Sequence, residues 1–578
     1  MQPNPDTPEA KARAFIDHER QFHLGFLPTE CANPLTATLE NDFRRDRITG
    51  VATLQRPDRS ITPVMRKVFA SDEFSALADA FTRVLSAPKG RIVFSGCGAT
   101  GRLSILLETI WRDFFIRRAS ELSADERALA DRVESIMTGG DFALIKAVEA
   151  FEDYAQGGAR QVAERGLGPE DVLVGITEGG ETSSVLGTLQ AASERGAACF
   201  LLFNNPAQLL RERLDRCRRA IDNPAITVLD LFCGPMALAG STRMQATTSE
   251  QLVASIALET ALCRVLPRFA PEAGGDGSDL YDALLDSLES DAVRKGLADA
   301  IAFEEELYRN GGKLTYLADE CMLDLFTDTT ERSPTFMLPP FRSTEERHLA
   351  PSWAFVKNPL VPTTTCWTRL MHRAPRCLEW TAEDYRALGM PDVARKPPRI
   401  TSEDLLRYPI GNEPAPERSD DLPFSAAVVF TVGTPAPAFL AAARAFPGAF
   451  TKRAEIHIGT EPPASSEGES ATVSLPIEWK ASPLELWRHL AVKLSLNTIS
   501  TGTMVRLGRV AGNWMSWVNV SNKKLIDRGV RLLSDLGKTS YEDACIRLFR
   551  AMDFVDRHDW GQKDRPSPVQ VALRELQR

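Results

Sequence analysis

The sequence predicts an α/β protein with two doubly wound domains, each a parallel sheet with helices on both faces, followed by a C-terminal helical region. Short apolar strands alternate with helices between Gly90 and Arg268, which is typical of a parallel sheet. A similar alternation begins again at Lys313. From Pro483 onward the pattern is helical alone, with long apolar stripes. These three observations are the basis of the expected fold class.

The composition excludes several classes of protein. A chain of 578 residues is too long for one domain, and 43% hydrophobic with 25% charged residues is average for a globular protein. The net charge of −10 argues against nucleic acid as a partner. No apolar run is long enough for a bilayer, and the histidines have no paired ligand spacing, so we expect no membrane contact, metal or cofactor. Ten scattered cysteines indicate reduced thiols and a cytoplasmic protein.

Changes in composition along the chain predict the domain boundaries. Residues 1–87 read as a helical lead-in and residues 88–268 as the first domain. A Pro/Gly/Asp-rich linker, Pro267–Ser278, separates it from the second domain at residues 279–510. Residues 511–578 complete the chain as a C-terminal helical region.

Each domain contains a series of short apolar runs that predict strands. In the first domain these are Arg91–Ser95, Ser135–Thr138, Val172–Ile176, Ala198–Phe203 and Ile226–Leu231. In the second domain they are Lys313–Leu317, Ser352–Val356, Thr363–Thr368, Ala426–Thr431, Glu455–Gly459 and Ala471–Leu475. The Pro-rich segment Ala394–Glu417 is interpreted as a surface loop.

The first strand runs into a glycine loop, GCGATGR, and then into a helix. Glycines let the backbone turn sharply and approach a ligand, while the helix offers free N–H groups and the positive end of its dipole. The loop therefore predicts a phosphate site at Gly98, Ala99, Thr100 and Gly101. Its spacing also fits the dinucleotide pattern G-x-G-x-x-G. Dinucleotide binding is disfavoured because the nearest acidic candidate at a strand end, Asp141, lies about forty residues past the loop instead of about twenty.

Two further loops rich in small and hydroxyl residues leave strands and open helices. The first, ITEGGETSS, offers Thr177, Glu178 and Gly179, and the second, AGSTRMQATTSEQL, offers Ser241 and Thr242. Helix capping alone would explain such hydroxyls at either position. Three such loops at the strand ends of one sheet favour a binding site, because open α/β sheets bind ligands there.

These strings carry a family resemblance. GCGATGR, KAVEAFEDYAQGG, VGITEGGETSSV and GSTRMQATT resemble the sugar isomerase (SIS) domain of N-acetylmuramic acid 6-phosphate etherases, as does the C-terminal run LAVKLSLNTISTGTMVRLGRVAGNWMSWVNVSNKKLIDRGVRLL. In the etherases that run follows the GSTRM turn almost directly, whereas here about 240 residues intervene. Two SIS domains followed by this run resemble the glucokinase regulatory protein family. That resemblance implies binding of a fructose 6-phosphate or fructose 1-phosphate class ligand and regulation of a sugar kinase.

The resemblance also implies a set of ligand contacts. They fall on Ala99, Thr100, Glu152, Thr177, Glu178, Gly179 and Lys493. Ala99 stands where threonine is usual, and Glu178 and Glu181 bring acid to a loop that usually has none. Two carboxylates beside a phosphate would repel it, so they would face sugar hydroxyls or the ligand would differ. A lysine such as Lys493 on an apolar helix is often a surface residue; the resemblance instead places it at a site between the domains.

An enzymatic alternative stays open at this point. Cleavage of a lactyl ether needs a base and an acid, and tuned glutamates serve both roles. The etherase resemblance implies one of them at Glu152, whereas the other falls on Ile110, with Glu108 two residues out of register. The missing acid reappears in the second domain as Glu331 in DTTERSPTF, although that domain lacks the glycine loop. The sequence thus favours phosphosugar binding without catalysis, with a composite site in an etherase-like lyase or a sugar-phosphate isomerase as the alternative.

Overall fold

The computed structural model describes residues 7–146, 148, 151–462, 471–520, 522–560 and 565–576. Its first sheet contains five parallel strands in the described chain, β1 (Ile92–Gly96), β2 (Val133–Met137), β3 (Val172–Ile176), β4 (Ala198–Phe203) and β5 (Ile226–Asp230). The strand order is β2-β1-β3-β4-β5. Every residue of β1 and β3 is buried, as expected for central strands covered by helices on both faces.

The second sheet repeats this topology. Its parallel strands are β6 (Lys313–Leu317), β7 (Ala354–Lys357), β8 (Ser425–Val432), β9 (Lys452–Ile458) and β10 (Ala471–Leu475). Their order is β10-β9-β8-β6-β7, which is the order of the first sheet when both are numbered from their own first strand. A two-stranded antiparallel ribbon, β11 (Val510–Ala511) and β12 (Trp514–Met515), follows.

Helices surround both sheets. Before the first sheet lie α1 (Pro8–His18), α2 (Leu39–Arg45), α3 (Arg47–Gln55), α4 (Ile61–Phe69) and α5 (Asp72–Ser86). The first sheet is accompanied by α6 (Ala99–Arg117), α7 (Ala124–Arg127), α8 (Ala155–Arg165), α9 (Ser183–Glu194), α10 (Ala207–Arg213), α11 (Asp215–Ile221) and α12 (Gln245–Val265). Between the sheets lie α13 (Ala270–Ala273), α14 (Gly277–Leu288) and α15 (Asp291–Arg309).

The remaining helices belong to the second half of the chain. With the second sheet come α16 (Met322–Phe336), α17 (Thr363–Met371), α18 (Ala382–Ala387), α19 (Pro391–Arg395), α20 (Ser402–Leu406) and α21 (Pro437–Arg444). The chain ends with α22 (Leu486–Arg506), α23 (Lys523–Gly537), α24 (Tyr541–Arg557) and α25 (Pro568–Leu576). In the described chain no helix has the length and apolar character needed to cross a membrane.

Helices from the second half of the chain pack near the carboxyl ends of the strands of the first sheet. The strand order reverses between β1 and β3, and ligands of doubly wound folds bind at the carboxyl ends of strands at such a point. The first helix after β6, α16, packs against both α6 and α22. We call the sheet β1–β5 with its helices the first unit and the sheet β6–β10 with its helices the second unit. Residues of the second unit therefore lie next to the strand ends of the first.

Most predicted strands agree with the structure, and the predicted fold class is confirmed. One predicted strand, Thr363–Thr368, is wrong, because this segment begins helix α17. Its β-branched threonines favoured a strand, but Cys366, Trp367 and Leu370 bury a helical face, so packing decides the conformation. The predicted surface loop Ala394–Glu417 is also wrong, because its apolar residues Ile400, Leu405, Tyr408 and Ile410 are buried. The predicted domain boundaries stay a prediction.

Candidate functional site

A cavity of about 700 Å³ lies at the carboxyl ends of β1 and β3. Its walls come from the loops after these strands, the turn before α12, helix α16 and the segment that leads into α23. Of the predicted site residues, the cavity is lined by Gly98, Ala99, Glu152, Glu178, Gly179, Ser241, Thr242 and Glu331. The structure therefore brings residues predicted from separate loops, and from both units, to one place.

The three glycines of the first loop have different structural roles. Gly98 has φ 56° and open space where a side chain would start, so the turn itself requires glycine. A Cβ on Gly96 would lie 2.3 Å from the Thr100 backbone, and one on Gly101 would lie 2.8 Å from the Met137 side chain. Gly96 and Gly101 thus allow close packing of loop, helix and sheet, whereas Gly98 leaves room for a ligand.

Helix α6 begins at this loop without a side-chain cap from any described residue. The Thr100 hydroxyl accepts a hydrogen bond from the Cys97 N–H at 3.0 Å and donates one to the Cys97 carbonyl at 2.9 Å. Thr100 therefore holds the loop in shape, and Gly101 lies behind it. The N–H groups of the first helical turn remain available to an anion.

The loop after β3 provides a second helix start. The N-cap of α9, Thr182, makes no capping hydrogen bond within the described chain; its hydroxyl instead accepts one from Thr177 at 3.0 Å. Thr177 is fully buried and supports the loop, whereas Glu178 and Gly179 face the cavity. Simple capping by Thr182 does not explain this loop, and in the first turn of α9 the Ser184 N–H donates to the Glu152 carbonyl at 3.0 Å.

The turn before α12 contributes a hydroxyl group. Ser241 Oγ is buried in the cavity wall and has no hydrogen-bond partner among the described residues. A buried hydroxyl without a partner is uncommon, and a bound ligand would supply one. The neighbouring Arg243 is engaged elsewhere, because its guanidinium donates to Asp328 at 2.9 Å and to Thr501 at 2.9 Å.

Three glutamates of the first unit face this region in different charge states. Glu181 binds Lys524 at 2.6 Å and Arg216 at 2.7 Å, and these cations outweigh burial and lower its pKa. Glu152 lies 3.7 Å from the Lys524 ammonium with 31% of its side chain exposed to the cavity, and burial raises its pKa. Glu181 therefore stays ionised in its ion pairs, whereas Glu152 binds a proton more readily than an ordinary glutamate.

The pKa of Glu178 bears on the repulsion that the sequence predicts between the two glutamates of this loop and a phosphate. Burial, together with the nearby charges of Glu331 and Glu152, raises the pKa of Glu178 to about 7. Near neutral pH it is therefore partly protonated, and its repulsion of a phosphate is reduced. Since Glu181 is neutralised by its two cations, neither carboxylate of this loop opposes an anionic ligand at full strength.

Glu331 enters the cavity from the second unit. It lies on α16 and forms an ion pair with Arg102, whose side chain is 1% exposed. Arg102 also donates to Thr330 at 3.1 Å and to the carbonyl of Ala143 at 3.2 Å. In the first unit the corresponding residue, Ile110, is packed in the core. Glu331, from the second sheet's helix α16, therefore lines the same cavity as the loops of the first sheet.

Asp141 and Glu108 are bound to the second unit and do not serve a nucleotide. Asp141 is buried, pairs with Arg373 and accepts a hydrogen bond from the Arg376 N–H. Glu108 is fully buried and pairs with Arg373 at 2.9 Å and with Arg112 at 3.0 Å. Neither carboxylate is free to hold a ribose, which removes the remaining candidate for dinucleotide binding.

Lys493 lies behind the main cavity. Its ammonium donates to the Met244 carbonyl at 3.1 Å and to the Thr248 hydroxyl, and it lines a separate space of about 40 Å³. Burial lowers its pKa. Among the cations that line the main cavity from the C-terminal region are Lys524 and Arg528, which sequence reasoning did not select. The sequence feature that could have identified them is the string NKKLIDR, which contains both residues and belongs to the C-terminal run that resembles the etherases.

Known proteins resemble this chain in fold and in sequence. The tagatose-6-phosphate ketose/aldose isomerase structure from Escherichia coli aligns with 81% of this chain and 95% of its own, at 13% identity and a TM-score of 0.42, which is too low for any functional argument. The profile described as "Glucokinase regulatory protein N-terminal SIS domain" matches residues 76–193.

Curated relatives give a stronger match. The N-acetylmuramic acid 6-phosphate etherase of Microcystis aeruginosa is 31% identical over 232 residues, which cover 40% of this chain and 67% of the relative. That of Gloeobacter violaceus is 31% identical over 247 residues, covering 43% and 72%. The chain therefore belongs to the N-acetylmuramic acid 6-phosphate etherase family.

Proposed function

We propose that the main cavity binds an amino-sugar 6-phosphate and that the protein is a lyase that releases lactate from N-acetylmuramic acid 6-phosphate. The observation that carries this proposal is the meeting of Glu152 and Glu331 in one cavity. Glu178 lines the same cavity, and the charges of Glu331 and Glu152 contribute to its raised pKa. A base and an acid contributed by different units are what ether cleavage requires.

The phosphate seat is formed by backbone groups more than by side chains. The open start of α6 and the unpartnered hydroxyl of Ser241 offer donors to an anion. Ala99 lacks the hydroxyl of a threonine, yet its N–H lies in the first turn of α6 and remains available as a donor. Lys524 and Arg528 also line the cavity, where Lys524 pairs with Glu181 and Arg528 with Glu30.

The chemistry follows from the substrate. In the open-chain sugar the aldehyde at C1 acidifies the proton on C2, and the lactyl ether oxygen on C3 is the leaving group. A base removes the C2 proton, the C3–O bond breaks, and an acid protonates the departing lactate oxygen; water then adds to the unsaturated sugar. We assign the base to Glu331, which is oriented by its ion pair with Arg102, and the acid to Glu152, whose pKa is raised by burial.

A second candidate function is phosphosugar sensing without catalysis. It is favoured by the Arg102–Glu331 ion pair, because the arginine occupies a carboxylate oxygen that a base would need for the substrate proton. The match to the glucokinase regulatory protein profile supports the same alternative. Such a protein would bind fructose 6-phosphate or fructose 1-phosphate and regulate a sugar kinase.

One assay separates the two functions. Purified protein is incubated with N-acetylmuramic acid 6-phosphate while released lactate is measured, and melting is followed with fructose 6-phosphate and fructose 1-phosphate in parallel. We expect lactate release that Glu152→Gln abolishes and that Glu194→Gln, on the exposed face of α9, leaves unchanged. Stabilisation by the fructose phosphates without any lactate would establish the sensor, and the absence of both responses would contradict both functions.

A further inference from the structure

The second sheet has a different group of side chains where the first has its glycine loop. Strand β6 leads through Ala318–Cys321 into α16, as β1 leads through its glycines into α6. At this point Cys321, Asp324 and His489 each offer one metal-ligating atom, and the three atoms lie within 4.8 Å of one another. The His489 Nδ1 atom is 2.8 Å from an Asp324 carboxylate oxygen. His489 comes from the start of α22, so two helix starts converge here.

We propose that Cys321, Asp324 and His489 bind a zinc ion, with water as the fourth ligand. Thiolate sulphur, imidazole nitrogen and carboxylate oxygen are the donors that zinc takes in proteins, in a tetrahedral arrangement. Zn–S bonds of about 2.3 Å and Zn–N bonds of about 2.0 Å require donor atoms roughly 3.5 Å apart. Donors already within 4.8 Å need only small side-chain rotations to reach this geometry.

The donors are held in place by the backbone around them. Cys321 is the N-cap of α16 and has φ 51°, and the N-cap of α22, Glu485, has φ 55°. Residues with side chains rarely adopt this left-handed conformation, because the Cβ atom comes too close to the backbone. The Asp324 side chain is 2% exposed and that of His489 is 14% exposed, so both are confined while solvent still reaches the histidine.

The carboxylate beside the thiol favours a divalent cation at this point. The Asp324 side chain is nearly fully buried and lies with Cys321 and His489 in one group of donor atoms. A bound cation is a large local charge that a neighbouring carboxylate attracts, and its coordination deprotonates a thiol. Arg117 compensates Asp113 and Glu485, whereas Asp324 has His489 as its partner.

The position of this cluster connects it to the cavity walls. Asp324 lies two helical turns before Glu331 on α16, and His489 lies one turn before Lys493 on α22. Asp324, Glu331 and Lys493 all line the smaller cavity of about 40 Å³. An ion bound here would join the starts of both helices and order the residues that they carry.

Cobalt and zinc provide direct probes of the proposed site. The full-length protein is stripped of metal with a chelator and titrated with Co²⁺, and the absorption of a cobalt–thiolate bond is recorded in the near ultraviolet. Zn²⁺ is then added in competition. We expect one equivalent to bind with the thiolate band, zinc to displace it, and zinc to raise the melting temperature. The absence of the thiolate band in the wild-type protein would overturn the proposal.

Residue-specific measurements complete the test. Alkylation followed by mass spectrometry is expected to show that zinc protects Cys321, and not Cys263, in the wild-type protein, so no variant has to fold for this result. Cys321→Ser and His489→Gln are expected to weaken zinc binding at least about 100-fold, whereas Cys263→Ser and His348→Gln leave it unchanged. Equal affinity in Cys321→Ser and the wild type would contradict the assignment.

Discussion

The two sheets have the same strand order but differ at their carboxyl edges. In the first, backbone groups define the site, because Gly96, Gly98 and Gly101 bring open helix starts to a ligand-sized cavity. In the second, the corresponding edge is occupied by side chains, among them Cys321. One topology therefore supports two kinds of site, and the residues at the strand ends decide which kind forms.

The difference also explains why the cavity needs both units. The first unit has the phosphate loops and Glu152, but the buried Ile110 occupies the place of the second acid. The second unit lacks the glycines, but its helix α16 delivers Glu331. Each unit by itself is incomplete for the proposed reaction, and together they form one site.

Glu331→Gln is expected to have the largest effect, because it tests whether the proposed reaction needs a residue of the second unit. Loss of a general base or acid is expected to slow lactate release by about 10²- to 10⁴-fold, while stabilisation by an amino-sugar 6-phosphate persists. Glu306→Gln changes an exposed acid of the same unit and serves as the control. Full activity in Glu331→Gln would mean that the first unit acts without the second.

The ion pairs that join the units are expected to have the next largest effect. Arg373→Ala leaves the buried carboxylates of Asp141 and Glu108 with fewer partners, which is expected to lower the free energy of unfolding by about 3 kcal/mol. Arg369→Ala removes a more exposed pair with Asp319 and is expected to cost less than about 1 kcal/mol. Urea denaturation of both variants measures the difference, and equal losses would show that the units are not joined here.

The pKa of Glu178 predicts a dependence of stability on pH. Its folded pKa, about 7, lies above its ordinary value of 4.5, so between these values the folded protein keeps a proton that the unfolded chain has lost. The free energy of unfolding therefore falls as the pH rises through this window. Glu178→Gln removes the penalty and is expected to be more stable than the parent by about 3 kcal/mol at pH 8 and nearly equally stable near pH 4.5. The same difference at both pH values would contradict the assignment.

The smallest expected effect comes from two glycines with similar backbone conformations, one after a strand of each sheet. Gly98, after β1, has φ 56°, and Gly433, after β8, has φ 63°, so alanine costs about 1 kcal/mol of backbone energy at either position. Only Gly98→Ala is expected to weaken stabilisation by hexose phosphates in a melting assay. If Gly433→Ala weakened it as much, the second edge would also take part in binding.

The sequence predicts local features of this protein better than contacts between distant residues. The bounds of β3, β4, β6 and β10 follow from apolar runs between turn residues, and the three loops follow from their glycines and hydroxyls. Family resemblance was needed to select Glu331. The pairing of Arg102 with Glu331 was not predictable, because its energy depends on packing between residues far apart in sequence. The same holds for His489, which lies 165 positions from Asp324.

The buried pair between Arg102 and Glu331 has a consequence for how a substrate reaches the cavity. Parting the two units at this point would leave both charges without partners, at a cost of several kcal/mol. A hinge between the units is therefore a poor entrance. The C-terminal wall is fastened in the same way, because Arg528 pairs with the buried Glu30 at 2.7 Å and Lys524 pairs with Glu181 at 2.6 Å. We therefore expect substrate and product to pass without separation of either wall.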